Sequence, residues 1–482
     1  MNLASFRNLW APEHDEEENE PFITPRPRSV RQLWVWARES KLEDYLPRLA
    51  PCLQYRWVPG NFVSLVFALL ILAMTILVLV GTITSLLNPD KYQLPWRSYC
   101  ARSPSFPPLD FEILPEVGVF IGVMSVASEF GFRRREMIRN TWAAKGRGGR
   151  RTVVRFVLGV SSDESEKALV EMENEVYGDI IQLSMKENMN QGKTHAYFSW
   201  ARDHALVPPA SGVEWVRPEY VVKTDDDSFV VLDELEARLR VSWYEGSAKM
   251  KGTGPLIYWG VSIPLIPFKG LAVDNWADLV KEYFMAGELY ALSWNLVEHV
   301  ASSEKVRRMT VGPEDQQVAK WVKVHPQASD IQWSSERCWI YNHPRSGTVY
   351  SHGFLFPSEV ERVKQSLGNN TAEFPTSYLV DSPLYSWSSV TGPAPRFKLL
   401  APPAKLDRLP SAMRVEGLVE GSWLSWVLSG TWEGTTPQKA FDRRETRAER
   451  YVGKRLGGTV VVHYLKRDEW FLETAAALFG GS

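Results

Sequence analysis

The sequence predicts an α/β fold, a sheet whose strands are joined by crossover helices. Three observations predict it. Short apolar runs recur along the middle of the chain, stretches with helix-capping residues separate them, and one run ends directly on Asp225-Asp226-Asp227. Strands alternating with helices build a mostly parallel sheet. Ligands of such sheets bind outside the carboxyl ends of the strands, which is where the aspartates fall.

The elements follow in order. Val117 to Met124 is a short apolar run of the kind buried on both faces of a sheet. A helix is expected through Phe132 to Trp142, then a strand over Thr152 to Val160. Ser161 to Asp163 offer N-caps for a helix running towards Tyr177. Asp179 to Leu183 reads as a third strand, Lys193 to Ala205 as a helix, and Tyr220 to Thr224 as the strand that stops at the aspartates.

The flanks read differently. Phe62 to Leu87 is a 26-residue apolar run without a charge, which as a helix would rise ~39 Å, enough to cross a ~30 Å hydrocarbon core with some tilt. With so many residues before it, the run is an anchor rather than a cleaved signal. Residues 1–61 form a tail with an acidic cluster from Glu13 to Glu18, and 88–116 a proline-rich stem. Residues 117–381 form the α/β domain and 382–482 an appendage, β-rich where Gly457 to Tyr464 reads as a strand, with no chemistry assigned. Flanking charges barely favour either orientation of the span.

Bulk composition narrows the class. A length of 482 residues allows one large domain with appendages, and a net charge of -2 argues against a general nucleic-acid binder. Twenty tryptophans could face sugar rings or bases, but buried core accounts for most of them. Three cysteines are too few for a disulfide framework; Cys100 and Cys338 could pair if both are lumenal, while Cys52 lies before the span.

The aspartate run carries the chemistry. Two unit charges 4 Å apart repel by about 4 kcal/mol at an effective dielectric of 20, a cost that a cation removes. In extended backbone Asp225 and Asp227 project to one face and Asp226 to the other. The outer pair could therefore share a hard cation, Mn²⁺ or Mg²⁺, whose shell is completed by substrate phosphates. An aspartyl-phosphate hydrolase also places aspartates after a strand, but Phe229 departs from that pattern.

Several segments together resemble the β-1,3-galactosyltransferase-like family 31 of glycosyltransferases, with its Fringe relatives. They are Phe132 to Trp142, Tyr177-Gly178-Asp179-Ile180-Ile181 with Gly192-Lys193-Thr194, Val222 to Val230, Gly287 with Tyr290 to Ser293, and Gly312-Pro313-Glu314-Asp315. Their order and spacing agree over about Val117 to Pro357. The resemblance implies a GT-A fold and inverting transfer from a UDP-sugar, usually with Mn²⁺, to a glycan, glycoprotein or glycolipid hydroxyl. It also implies a single-span type II protein of the Golgi or ER membrane, catalytic domain lumenal.

Carried over by position, Asp227 is the main metal ligand, with Asp225 and Asp226 near the metal and the ribose. Asp315 is the general base, its plainer role being to cap a helix start. A late histidine completes the metal site; His343 and His352 are the candidates, and His352 is preferred. Arg135, Arg139 and Lys193 would offset the donor's diphosphate and uracil carbonyls. Two departures stand out. Glu288-Leu289 replaces a second glycine before Tyr290, and Gln316-Gln317-Val318 follows Asp315. An inactive, carbohydrate-binding relative of the same fold is the competing reading. Asn369 heads an N-glycosylation sequon.

Overall fold

The computed structural model describes residues 62–87, 106–144, 150–250, 254–265, 282–346, 348, 351–367, 406–430 and 434–480. Cys52, Cys100, the Asn369 sequon, the tail and most of the stem lie outside these residues. Two units are distinguished, Met1–Thr84 and Ser85–Ser482. The first holds most of helix α1, Phe62–Leu87. Its side chains are described only from 66 to 80, and large apolar ones such as Phe67, Ile71 and Leu77 are exposed. Among the described residues no helix is long and apolar enough to cross a membrane; the part of α1 with described side chains is shorter than the ~20 residues a bilayer needs.

The second unit alternates as the sequence predicts. β1 (Val119–Met124) leads to α2 (Glu129–Asn140), β2 (Thr152–Val160) to α3 (Glu164–Tyr177), and β3 (Ile180–Lys186) to α4 (Lys193–His204). The caps are those chemistry favours. Asp163 accepts from the backbone N–H groups of Ser165 and Glu166, and Gly178 ends α3 at φ 62°, a left-handed turn that glycine adopts without strain.

β4 (Tyr220–Asp225) is followed by the two-residue β5 (Phe229–Val230), α5 (Leu232–Lys249), β6 (Ile257–Leu265), β7 (Glu282–Ser293) and α6 (Trp294–Ser302). α7 (Glu314–Lys323), β8 (Gln332–Ser335), β9 (Ile340–Asn342) and α8 (Pro357–Leu367) complete the central part.

Seven strands form one mixed sheet in the order β3-β2-β1-β4-β7-β6-β8. β1 pairs in parallel with β2 and β4, while β7 runs antiparallel to β4 and β6. All six residues of β1 are buried, because helices cover both faces. Trp142, Phe156 and Trp259 pack on one side, Tyr197, Tyr258 and Trp321 on the other. The strand order reverses between β1 and β4, and the register pairs Met124 with Asp225. The crevice at that reversal is where open α/β sheets bind ligands, and the aspartates occupy it. A mixed sheet with carboxylates at the end of β4 is the GT-A-like arrangement that the resemblance implies.

The expected β-rich tail is instead largely helical. Among the described residues of this segment there are the helices α9 (Ser411–Gly417), α10 (Trp423–Ser429), α11 (Pro437–Asp442) and α12 (Asp468–Phe479), a short helix at Arg447–Arg450, and one strand, β10 (Val461–His463). Ser422 and Thr436 cap two of the helices, and Phe471, Thr474 and Leu478 bury one face of α12 at helical spacing. β10 is the middle strand of a second sheet, β5-β10-β9, antiparallel to β5 and parallel to β9. Phe229, next to the aspartates, packs against Phe471 and Phe479 of α12 at 5.4 and 5.1 Å between ring centroids.

Candidate metal and donor site

β4 delivers the three aspartates and β10 delivers the residues that meet them. Among the described residues one group of side chains could hold a metal ion: Asp225, Asp227 and His463, with one ligand atom from each, all within 4.8 Å of one another. His463 Nε2 lies 3.5 Å from Asp227 Oδ1, and Lys466 Nζ forms an ion pair with Asp227 Oδ2. A turn at Tyr464, the one non-glycine residue with positive φ (64°) among those described, brings both groups to the same carboxylate. Leu465 N–H donates to the Asp227 carbonyl at 3.0 Å and fixes that turn. Strained backbone of this kind persists only where surrounding contacts hold it.

The ring of His463 is oriented from behind. Its Nδ1 lies 2.8 Å from Asn342 Oδ1, while Asn342 Nδ2 donates to Thr348 Oγ1 at 2.8 Å. The amide donating to Thr348 leaves its oxygen to accept from Nδ1–H, so Nε2 is the ring nitrogen that faces the carboxylates; its N–H interacts with Asp227, and its lone pair would serve a metal ion once that proton is lost. This second-layer bond is the usual companion of a metal-binding histidine. Two carboxylates and one imidazole suit Mn²⁺ and also admit Mg²⁺.

The charges are tightly balanced. Burial alone would raise Asp227, but hydrogen bonding and charge from His463, with Lys466 added, hold it well below the usual carboxylate range. Burial raises Asp225, with Asp227 and Glu314 adding to the rise and Lys223 opposing it. Asp226 is pushed up to about 6, chiefly by burial, although Ser125 Oγ donates to it at 2.9 Å. Within the triplet Asp225 and Asp226 therefore hold a proton more readily than an ordinary carboxylate and Asp227 less readily.

A second cluster adjoins the first. Lys223, fully buried, reaches Asp225 Oδ1 at 2.7 Å, Glu314 Oε1 at 2.6 Å and the Gly287 carbonyl at 2.6 Å. Tyr290 O–H donates to the other Glu314 oxygen at 2.6 Å. A Cβ on Gly287 would lie 3.0 Å from Glu314 Oε1 and 3.5 Å from Lys223 Nζ, so glycine lets the strand pass this ion pair. Asp315, beside Glu314 in the first turn of α7, accepts from Gln316 N–H at 2.7 Å. Burial and then the neighbouring Glu314 push its carboxyl up to about 6. Such a group is ionised near neutrality yet basic enough to take a proton.

The predicted cations sit elsewhere than expected. Arg135 closes on Glu173 with two bonds of 2.8 and 2.6 Å, and its remaining N–H groups go to Ser125 Oγ and the Val126 carbonyl. Arg139 binds Asp179 with bonds of 2.9 and 2.8 Å and also meets Glu136 and Glu173. Lys193, 1% exposed, is held by Glu187 and the Ser125 carbonyl. Buried cations need paired carboxylates, and each has one; Arg135 and Lys193 connect to the site through Ser125, which donates to Asp226. Arg134 is also fully buried, 3.6 Å from Asp468, and its charge acts on Asp226 and Asp227.

Neither histidine proposed from sequence joins the aspartates. His352 lies against Tyr341, tilted, with ring centroids 3.8 Å apart and Nδ1 at the Gly353 carbonyl, and His343 stacks on Trp470 at 4.8 Å. His463 holds that place instead. Its signal was a strand reading of Gly457 to Tyr464 that ends on a histidine and a near lysine, without a hint of which strand it would pair with.

Fold and site together define an α/β domain with a carboxylate and histidine cluster at the end of its central strand. Residues 133–327 match the family model described as Galactosyltransferase. The chain is similar to the probable β-1,3-galactosyltransferase 13 of Arabidopsis thaliana, 28% identical over 42% of this chain and 57% of that protein. It is also similar to β-1,3-galactosyltransferase 6 of Mus musculus, 25% identical over 51% of this chain and 76% of that one. A mannosyltransferase from Pyrobaculum calidifontis, solved with GDP-Man and Mn²⁺, aligns at 13% identity over 65% of this chain and 81% of that one with a TM-score of 0.30, too loose a likeness to carry an argument about donor or metal. Over residues 133–327 the chain is thus similar to galactosyltransferases. It spans little more than half of the plant relative, and His463 and Lys466 lie beyond the family match.

Proposed function

We propose that the chain transfers a hexose, galactose in the first instance, from a UDP-sugar to a glycan, glycoprotein or glycolipid hydroxyl with inversion at the anomeric carbon. The observation that carries this reading is the convergence of Asp225, Asp227 and His463 at the end of β4 next to the raised carboxyl of Asp315. Asp225, Asp227 and His463 would hold Mn²⁺ or Mg²⁺, which when bound neutralises charge on the departing diphosphate. Lys466, its side chain 56% exposed, is able to leave Asp227 and meet phosphate oxygens. Asp315 accepts the acceptor hydroxyl's proton as its oxygen bonds to the anomeric carbon. The carbon–oxygen bond to phosphate breaks with its electron pair leaving on UDP, and one displacement inverts the centre.

We place the domain in the lumen of the Golgi or ER, anchored by α1 as a single-pass type II protein. The uncharged apolar sequence from Phe62 to Leu87 supports this. So does Cys338, which is buried and disulfide-bonded to a partner outside the described residues, since disulfides persist in oxidising compartments.

One observation favours a second reading, a binding protein without turnover. Lys223 and Lys466 already neutralise Asp225 and Asp227, which weakens the demand for a metal. Turnover of UDP-galactose with Mn²⁺ over an acceptor panel, abolished in Asp227→Ala and Asp315→Asn, supports the transferase. Nucleotide binding with no transfer to any acceptor supports the second reading.

A further inference from the structure

Tyr464 occupies the turn that brings His463 and Lys466 to Asp227, and its φ of 64° is unusual for so bulky a residue. Glycine or asparagine would take that conformation at less cost. The turn itself is held by backbone. Leu465 N–H donates to the Asp227 carbonyl and Lys466 N–H to the Tyr464 carbonyl, both at 3.0 Å, and neither bond needs a phenol ring. Burial does not account for the ring either, since Tyr464 is 38% exposed. Backbone outliers of this kind cluster at ligand sites.

Two neighbours place the ring. It meets the His463 imidazole edge to face, with centroids 6.0 Å apart and planes at 82°. Lys466 Nζ lies over it, 5.1 Å from its centroid, while pairing with Asp227. The aromatic face therefore adjoins both a candidate metal ligand and the cation that would meet phosphate. When Lys466 leaves Asp227 for a phosphate, it also uncovers the ring.

We propose that Tyr464 is the wall on which a pyranose ring stacks, from either the donor sugar or the acceptor; this rests on the transferase reading. A diphosphate held at Asp225, Asp227 and His463 carries its sugar towards the same side chains. Aromatic faces pack against the C–H groups of a sugar by dispersion and burial. The ligand class is a pyranose with one apolar face. Galactose fits it, because its axial hydroxyl gathers several C–H groups onto one face, whereas glucose divides them between two.

The test is calorimetric titration of the full-length chain with Mn²⁺, using UDP, UDP-galactose, and methyl β-galactoside added to the UDP-loaded protein. Tyr464→Ala is expected to weaken one sugar ligand by about threefold to tenfold, the value of an aromatic contact, with UDP unchanged. Loss for UDP-galactose assigns the wall to the donor sugar, and loss for the galactoside assigns it to the acceptor. Tyr464→Phe should keep the wild-type affinities, because the ring face and not the hydroxyl makes the contact. Tyr464→Gly should lose sugar affinity as the alanine variant does, yet melt no lower than the wild type, since glycine adopts the positive φ freely. Unchanged affinity for both sugars in Tyr464→Ala, or a loss shared equally by UDP, overturns the proposal. So does a lower melting temperature in Tyr464→Gly, which makes the ring a packing group. In those cases binding of UDP-galactose by the wild type leaves the transferase reading standing. A wild-type chain that binds no UDP sinks that reading and this inference with it.

Discussion

His463 Nε2 lies 3.5 Å from Asp227 Oδ1, although Asp227 comes from the middle of the chain and His463 from near its end. β10 makes that meeting possible by pairing with β5, two residues beyond the aspartates. The site is therefore built jointly by the middle of the chain and by its last strand.

Removing the last strand should remove the fold of the site as well as its histidine. A chain ending at Arg455 lacks β10, the centre of the second sheet, and exposes Phe229, which is fully buried. Loss of a fully buried aromatic contact set costs about 3–5 kcal/mol. Limited proteolysis should find the region after β4 cleaved rapidly in the shortened chain and protected in the whole one.

Asn342→Ala leaves all three metal-ligand side chains in place but frees the His463 ring. Loss of such a partner typically costs 10- to 100-fold in metal affinity, roughly. Manganese titration should report that loss, with His463→Ala weaker still. His352→Ala should leave the affinity unchanged, since His352 is engaged with Tyr341 and Gly353.

Asp315 separates stability from turnover. Its carboxyl lies at about 6 against an ordinary 3.8, so the folded state binds more protons than the unfolded one between those values. Stability from this group is lost as pH rises across that window, and the full cost is present above about pH 6. Asp315→Asn should therefore stabilise the fold at pH 7.5 by roughly 1 kcal/mol after allowing for solvent screening, while transfer disappears. In the wild type kcat/KM should fall as pH drops below about 6, as the base is protonated. Thermal melts and a pH–rate profile check the two halves.

Lys223→Met is expected to be severe. The ammonium is fully buried among Asp225, Glu314 and the Gly287 carbonyl, and removing it leaves two carboxylates without compensation. Breaking a buried pair in this way costs about 3–5 kcal/mol. Denaturant unfolding should show it, and added Mn²⁺ should recover part of the loss by taking up the charge of Asp225.

Much of the sheet and its crossover helices was legible, because β1 and β4 are apolar runs and Asp163 and Gly178 are strong helix boundaries. The placement of the aspartates at the end of β4 and of Asp315 in the first turn of a helix was legible from local pattern. His463 was not, for a physical reason: nothing local in Val461-Val462-His463 says that it pairs with Phe229 and Val230, a long-range contact. Arg135, Arg139 and Lys193 show the reverse case. Their positive charge was visible, but Glu173, Asp179 and Glu187, which fold onto them, are distant in sequence. The helical tail was misjudged because one β-like run near Val461 outweighed weakly periodic segments on either side.

The central claim is tested most directly by anomalous diffraction from crystals soaked with Mn²⁺ and UDP. The account predicts one manganese peak bonded to Asp225, Asp227 and His463 Nε2 and bridging to the diphosphate, with Lys466 moved off Asp227. A peak elsewhere, or UDP bound with Lys466 still paired to Asp227 and no metal between the aspartates, would contradict it.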